Sequence, residues 1–338
     1  MAAAETCLYI SDSGSQSIVH YDLDEQTGKL KEVSRTNVGT APGSLAVHAP
    51  SRTLFASLRT NARIGSFKIE NDGKLSAINE TELGTGANAA YVNVDRAGKF
   101  LFAASYAAGR MTVHEIAAGG KIGAKPLQEI MTAKTAHATV LSPDEKWVFV
   151  PHVEPNSIFQ FKLDVQSGKL TQQEKAAGGK PGAGPRHLAI HPSAKFAFSS
   201  DETGSSCTLY SLDAEKGLTP LQTVSTLPET FQGRNTTADV HVHPSGEFVW
   251  VSNRGHDSLA GFRFDAPASK LTALGQTPTE KTPRSFALSP NGKFLFAGGE
   301  GTGKLAAYSI DTKSGKLERI ETYDVGKSLS WVSAVTLP

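Results

Sequence analysis

Apolar residues in this chain alternate with polar ones, or run for four to six positions, between turn signals such as Pro-x-Gly, Asp-Gly and Ser-Gly-Lys. No stretch repeats its apolar positions every 3.6 residues. The pattern predicts short antiparallel strands and no amphipathic helix. The strands also recur. One phrase returns as LAVHAPSRTLFAS, YVNVDRAGKFLFAA, TVLSPDEKWVFVP, LAIHPSAKFAFSS, VHVHPSGEFVWVS and FALSPNGKFLFAG, each copy followed by an alternating stretch and a turn. The aromatic residue of its second half falls at Tyr9, Phe55, Phe102, Phe149, Phe198, Trp250 and Phe296, in steps of 46, 47, 47, 49, 52 and 46. Seven units, each with room for four strands, match the arithmetic of propeller blades. The predicted fold is all-β: one seven-bladed β-propeller domain over residues 1–338, with four-stranded antiparallel blades. The first unit enters at Leu8-Tyr9 with no strand before it, and the unclaimed strand is Ser330 to Leu337. The C-terminal strand is therefore expected to be the inner strand of the first blade and to close the ring.

Length and charge change this picture little. A chain of 338 residues would suggest two domains, but the repeat shows no boundary. Lys+Arg 34 against Asp+Glu 33 leaves a net charge of +1, without any long basic run, which argues against a nucleic-acid partner. No apolar stretch is long enough to span a membrane, and Met1-Ala2-Ala3-Ala4-Glu5 does not read as a secretory signal. The two cysteines, Cys7 and Cys207, are too few for a disulfide framework or a zinc site and are expected to stay unpaired. The expected compartment is the cytoplasm.

Because every blade shares one geometry, the repeat is its own control. A slot holding the same residue type in most blades is scaffold, whereas a slot that carries different polar residues in selected blades is where chemistry can be grafted. The slot five residues before the end of each first strand reads Gly43, Ala90, His137, Arg186, Ala238 and Arg284, with Trp331 on the closing strand. The slot four residues after each second-strand aromatic reads Ser13, Arg59, Tyr106, Val153, Glu202, Arg254 and Glu300. In a meander both slots open on one face of the ring. That clusters four arginines with His137, Glu202 and Glu300 at one mouth, a composition suited to a small anion, since guanidinium forks bind carboxylate or phosphate in bidentate fashion.

The same comparison discounts other signals. His243 occupies the slot of His48 and His191 and reads as scaffold. His241 stands where most blades place Ala or Val, and it either supports the site through Asp239 and Arg254 or fills a gap. Gly298-Gly-Glu-Gly-Thr-Gly303-Lys304 lacks the Ser/Thr and the helix of a phosphate loop. There is no G-x-S-x-G nucleophile elbow.

End to end, and most specifically in Gly184-Pro-Arg-His-Leu-Ala-Ile-His-Pro192, Asp201-Glu202, Ala238-Asp-Val-His241, Ser252-Asn-Arg-Gly255 and Thr282-Pro-Arg-Ser-Phe286, the sequence resembles the seven-bladed propeller lactonase family. That family contains propeller-type 6-phosphogluconolactonase and the fungal 3-carboxy-cis,cis-muconate cyclase. The resemblance implies catalytic roles for His137, Arg186, Glu202 and Arg254; around them, substrate contacts are expected from Arg284, Arg59, His187, Asp239, His241, Asn253 and Trp331. No cofactor is expected, and with no cluster of acidic ligands in the sequence, no metal either. The closing strand departs from the family's Gly-Pro-x-Trp by reading Ser328-Leu-Ser-Trp331. The function expected is a metal-independent lactonase acting on a small anionic sugar lactone. A lactonising muconate cyclase is the alternative, and a non-enzymatic interaction scaffold a further one. Either His137 or Glu202 would serve as the base, or Glu202 would orient His137.

Overall fold

The computed structural model describes residues 5–84 and 86–338. Each unit of the repeat becomes one antiparallel sheet, and seven sheets stand around a central axis. We number them as blades 1 to 7 in chain order, each running from an inner strand at the axis to an outer strand at the rim. The inner strands of blades 2 to 7 are Pro42–His48, Ala89–Val94, Val140–Leu141, Pro185–Ile190, Thr236–Val242 and Pro283–Leu288. The second strands hold the repeat aromatics: Thr53–Leu58, Phe100–Ser105, Trp147–His152, Phe196–Asp201, Phe248–Arg254 and Phe294–Gly299. In blade 1 the second strand is Glu5–Asp12, and the inner strand is supplied by Leu329–Leu337, as the sequence predicts. Cys7 lies opposite Val335, and Tyr9 opposite Ser333. First and last strands of the chain thus zip the ring shut, which leaves each blade only a short, protected edge at the axis.

Alternation along the strands fills the spaces between blades. Phe55, Phe102, Phe149, Phe198, Trp250 and Phe296 are almost wholly buried, in clusters drawn from neighbouring blades. The rim deviates in two places, since the outer strand is broken in two in blades 3 and 4, each then pairing twice with the third strand. The only helices among the described residues are single 3-10 turns. None is long and apolar enough to cross a membrane. Cys7 and Cys207, on blades 1 and 5, are both buried and free.

Candidate active site

The slot found in the repeat is the place where the inner strands break register. Pairing with the second strand slips between Pro42 and Leu45, Ala89 and Tyr91, Pro185 and His187, Thr237 and Val240, and Pro283 and Ser285. The residues left over are Gly43 with Ser44, Ala90, Arg186, Ala238 with Asp239, and Arg284. On the closing strand the slip falls at Ser330, beside Trp331. A bulge leaves one residue unpaired and re-aims its side chain. Here it turns that side chain out of the blade-to-blade alternation and toward the axis. Blade 4 goes further: Ala136 forms an isolated bridge to His152, the His137 N–H donates to the Pro151 carbonyl at 3.0 Å, and the regular strand resumes only at Val140. In three blades a serine from the preceding second strand satisfies a bulge carbonyl: Ser11 Oγ to Gly43, Ser57 Oγ to Ala89, Ser200 Oγ to Ala238.

At the axis these bulges build one cavity, lined by Gly43, Ser44, Arg59, Ala90, Arg186, Arg284, Ser330 and Trp331. The blank slots matter as much as the filled ones. A Cβ on Gly43 would stand 2.7 Å from Arg59 Cδ, so the glycine leaves the room that lets Arg59 reach inward. Glu202 lies between two arginines: its Oε1 accepts from Arg254 Nη2 at 2.8 Å, and its Oε2 is 3.4 Å from Arg186 Nε. Arg254 also donates to the Thr237 carbonyl at 2.9 Å. Arg284 Nη1 stands 3.7 Å from Glu300, and Arg59 Nε donates to Asn88 at 3.3 Å. Four guanidinium groups therefore face Glu202, Glu300 and the more deeply placed Asp239, which leaves the mouth with an excess of positive charge.

Arg186 is the most confined of the four, with 1% of its surface exposed. Burial, then the charges of Arg254 and Arg284, push its guanidinium well below the ordinary value, while Glu202 and Asp239 oppose them. An arginine so placed remains charged, so the mouth holds a cation in surroundings that a bound anion would relieve. Its Nη1 donates to the Ala238 carbonyl at 2.5 Å and faces His187 Nε2 at 3.2 Å. A guanidinium has only donors, which makes His187 Nε2 the acceptor and puts the imidazole proton on Nδ1, 2.8 Å from Asp239 Oδ1. Burial and Arg186 hold His187 down to about 4, consistent with this neutral tautomer. Asp239 is itself fixed by the Val240 and Phe286 amides and by Ser285 Oγ. A relay of hydrogen bonds thus aims Arg186 from below.

His137 sits beside this relay, its ring 5.1 Å from that of His187 and 5.4 Å from that of Tyr106. Its Nδ1 is buried without a hydrogen-bond partner among the described residues. Burial first, then the charges of Arg186, His187 and Arg284, hold the imidazole well below its usual value. It is therefore neutral, with a free lone pair. Glu202 Oε2 likewise has no hydrogen bond.

Two expected ligand contacts are corrected by the geometry. Asn253 is fully buried and turned away from the cavity, with its amide engaged by Thr226, Asn235 and Ser258. It braces the turn that carries Arg254. His241 faces a second opening at the other end of the axis, with Tyr91, Val242, Pro244 and Trp331, and meets the mouth only through Asp239, 3.3 Å from its Nε2. Trp331 lines both openings and stands between them, edge-on to Tyr91 at 5.1 Å and tilted against His187 at 5.7 Å. Tyr91, which the sequence reading passed over, thus helps seat both His187 and Trp331. The signal for it lay one position past the first slot, where blades 2 to 7 read Ser44, Tyr91, Ala138, His187, Asp239 and Ser285; on the closing strand the slip at Ser330 puts Trp331 at this position rather than in the first slot.

A ring of bulges thus presents arginines, a carboxylate and a neutral imidazole at one mouth. Residues 7–334 match the family model described as lactonase, 7-bladed β-propeller, and the chain belongs to that family of carboxylic-ester hydrolases. It is 31% identical over 334 residues to a protein of Pectobacterium carotovorum named 6-phosphogluconolactonase, covering 98% of each chain. A Serratia proteamaculans protein of the same name is 30% identical over 327 residues, 96% of this chain and 98% of its own. Among solved structures, a protein from Lactobacillus plantarum superposes with a TM-score of 0.88 at 26% identity, over 98% of this chain and 99% of its own. The periplasmic gluconolactonase of Pseudomonas aeruginosa shares the fold, with a TM-score of 0.89 at 24% identity over 99% of both chains.

Proposed function

We propose that this protein hydrolyses 6-phosphogluconolactone to 6-phosphogluconate, with His137, Arg186, Glu202 and Arg254 as the catalytic group. The observation that carries the reading is the pair of arginines clasping Glu202, beside a neutral imidazole, inside a mouth with excess positive charge. The names of the full-length relatives support the substrate.

Hydrolysis of a lactone needs an activated water and a place for the charge that develops on the carbonyl oxygen. His137 offers the only neutral lone pair in the catalytic group. It takes the proton as the water oxygen bonds to the lactone carbonyl carbon. The oxyanion forms against Arg186 and Arg254, which Glu202 and the His187–Asp239 relay have already oriented. As the ring C–O bond breaks, the imidazolium returns its proton to the leaving ring oxygen. Arg284 and Arg59, on the far side of the cavity, take the phosphate. The donors that fill the mouth are guanidinium cations, which repel a metal ion, so the chemistry is assigned to the side chains alone. The buried free thiols and the phosphorylated substrate favour a cytoplasmic location.

The deciding experiment offers the purified protein 6-phosphogluconolactone, gluconolactone and 3-carboxy-cis,cis-muconate in parallel. Turnover of the first, with kcat lowered on the order of 10²-fold or more in Arg186→Ala, is the expected result. Turnover of the muconate alone would assign the site to the lactonising reaction, and turnover of none would remove the enzyme reading in favour of an interaction scaffold.

A further inference from the structure

Across the ring from His187, at the rim-side face of the closing blade, a second set of residues departs from the repeat. The residue that pairs with the repeat aromatic on the third strand is His20, Ser66, Val113, Gln160, Leu209, Gly261 or Ala307, in blade order. Where this residue is polar, the other blades give it a partner. Ser66 Oγ donates to the Gly120 carbonyl at 2.6 Å, and the Gln160 amide bonds both the Leu218 N–H and the Glu174 carbonyl. His20 is 1% exposed, and neither of its ring nitrogens has a hydrogen-bond partner among the described residues. Its ring is held in place by stacking on Tyr9, 4.9 Å away at 17°, and by Gly73, where a Cβ would come within 2.0 Å of Cε1.

The neighbouring pair is altered as well. Two residues before the aromatic, five blades carry another aromatic, Phe100, Trp147, Phe196, Phe248 and Phe294, and blade 1 carries Cys7. Opposite this position blades 4 and 6 place Lys162 and Arg263, each with its cation over the ring at 4.0 and 4.8 Å. Blade 1 places Asp22 opposite Cys7. The Cys7 thiol, a His20 nitrogen and an Asp22 carboxylate oxygen all lie within 4.8 Å of one another, and His20 Nε2 is 3.5 Å from Asp22 Oδ1. That oxygen, too, is buried and unbonded.

We propose that Cys7, His20 and Asp22 bind a divalent ion of zinc's class at the seam where the ring closes. One sulfur, one nitrogen and one oxygen donor suit a tetrahedral, borderline-soft ion. Bonds of about 2.0–2.3 Å place such donors roughly 3.5 Å apart, so the cluster closes by about 1 Å as the ion enters. Glu5, next in line on the same strand face and pushed up by partial burial and by Asp22's charge, supplies the fourth donor, or water does. Without an ion, burial pushes the Cys7 thiol up to about 12; the ion displaces that proton to solvent. Asp22 is half-exposed and gives the route of entry. The ion would tie Glu5–Asp12 to Ser17–Leu23 at the strand that also receives the chain's end, a structural clamp separate from the chemistry at the mouth. Cysteine counting alone missed it, because a mixed donor set needs only one thiol.

The test is a titration of chelator-stripped protein with Co2+, followed by Zn2+. The wild type and Cys207→Ser should give a thiolate-to-cobalt charge-transfer band in the near ultraviolet, bleached by Zn2+, and Zn2+ should raise Tm. Cys7→Ser should lose the band, and Asp22→Asn should bind at least about 10-fold more weakly. Lactone turnover should be the same before and after stripping. No band in the wild type, a band that survives Cys7→Ser, or equal binding by Asp22→Asn overturns the proposal; the last serves if Cys7→Ser does not fold. None of these outcomes bears on the lactonase reading, which is measured separately.

Discussion

Replacing Arg186 by Met separates what this arginine does for catalysis from what it does for the fold. Met keeps much of the volume and none of the charge. If the developing oxyanion meets the guanidinium, kcat should fall by about 10²–10³, equivalent to roughly 2.7–4 kcal/mol of transition-state stabilisation. Stability should move little, because most partners of Arg186 have a second partner. Glu202 keeps Arg254 at 2.8 Å, and the Ala238 carbonyl keeps Ser200 Oγ at 2.8 Å. Only His187 Nε2 loses its donor, at about 1–3 kcal/mol for a buried unpaired acceptor. Against this stands the relief of the burial and of the like-charge repulsion from Arg254 and Arg284 that the Arg186 guanidinium carries, which acts in the opposite direction. The two offset to within about 2 kcal/mol, which in a chain of this size shifts Tm by no more than about 4 °C. Initial rates on fresh 6-phosphogluconolactone and a calorimetric melt measure both numbers. An unchanged rate would take Arg186 out of the mechanism. A loss of activity that tracks a Tm drop of about 10 °C or more would make the arginine a structural residue and refute the assignment.

Four further outcomes follow from the same coordinates. His187 and His152 are held at about 4 and His137 well below its usual range, in each case by burial first. The unfolded chain takes up protons near pH 6.5 that the folded one refuses, so stability is complete above about pH 6.5 and falls toward pH 4 by about 1.4 kcal/mol per unit for each such group; urea midpoints that stay level from about pH 7 to 4.5 would contradict this. Arg284→Ala and Arg59→Ala should each raise KM for the phosphorylated lactone by about 10-fold or more while sparing kcat, and should leave gluconolactone unaffected; equal effects on both substrates would move the phosphate elsewhere. Deleting residues 329–338 strips the inner strand from blade 1 and should lower Tm and expose an aggregating edge; a monomer of unchanged Tm would contradict the closure. Thiol titration in denaturant with a chelator should find two free cysteines without reductant.

The blades, their number and the closing strand were legible because a repeat prints the same alternation many times over. The mouth was legible for a related reason: Arg186, Arg284 and His137 stand in a slot that elsewhere holds Gly43, Ala90 and Ala238. What alternation could not show is the bulge. Strict two-residue periodicity assigns Arg186 and His187 to opposite faces of the strand, yet the slip between Pro185 and His187 brings both to the axis, one above the other. Asn253 and His241 were misplaced for the converse reason. Each adjoins a site residue in sequence, but the strand turns Asn253 toward Thr226 and carries His241 past Trp331. The depressed imidazole of His137 was hidden as well, since it comes first from burial at the axis and then from charges on blades 5 and 7 that the fold brings near.

The recurrent bulge has a consequence for how such a protein can change its substrate. Each blade delivers one side chain to the same well from the same kind of backbone irregularity, so the well behaves like a lock with interchangeable tumblers. Three tumblers are blank here, at Gly43, Ala90 and Ala238, and the backbone that aims them is already built and, for each, tied down by a serine from the blade before. Recutting a blank requires only a substitution that tolerates the bulge and its neighbours. At Ala90 and Ala238 a side chain is already present to extend, whereas at Gly43 the space belongs to Arg59. New specificities in this architecture are therefore expected to arise one tumbler at a time, first opposite the arginines and last at Gly43.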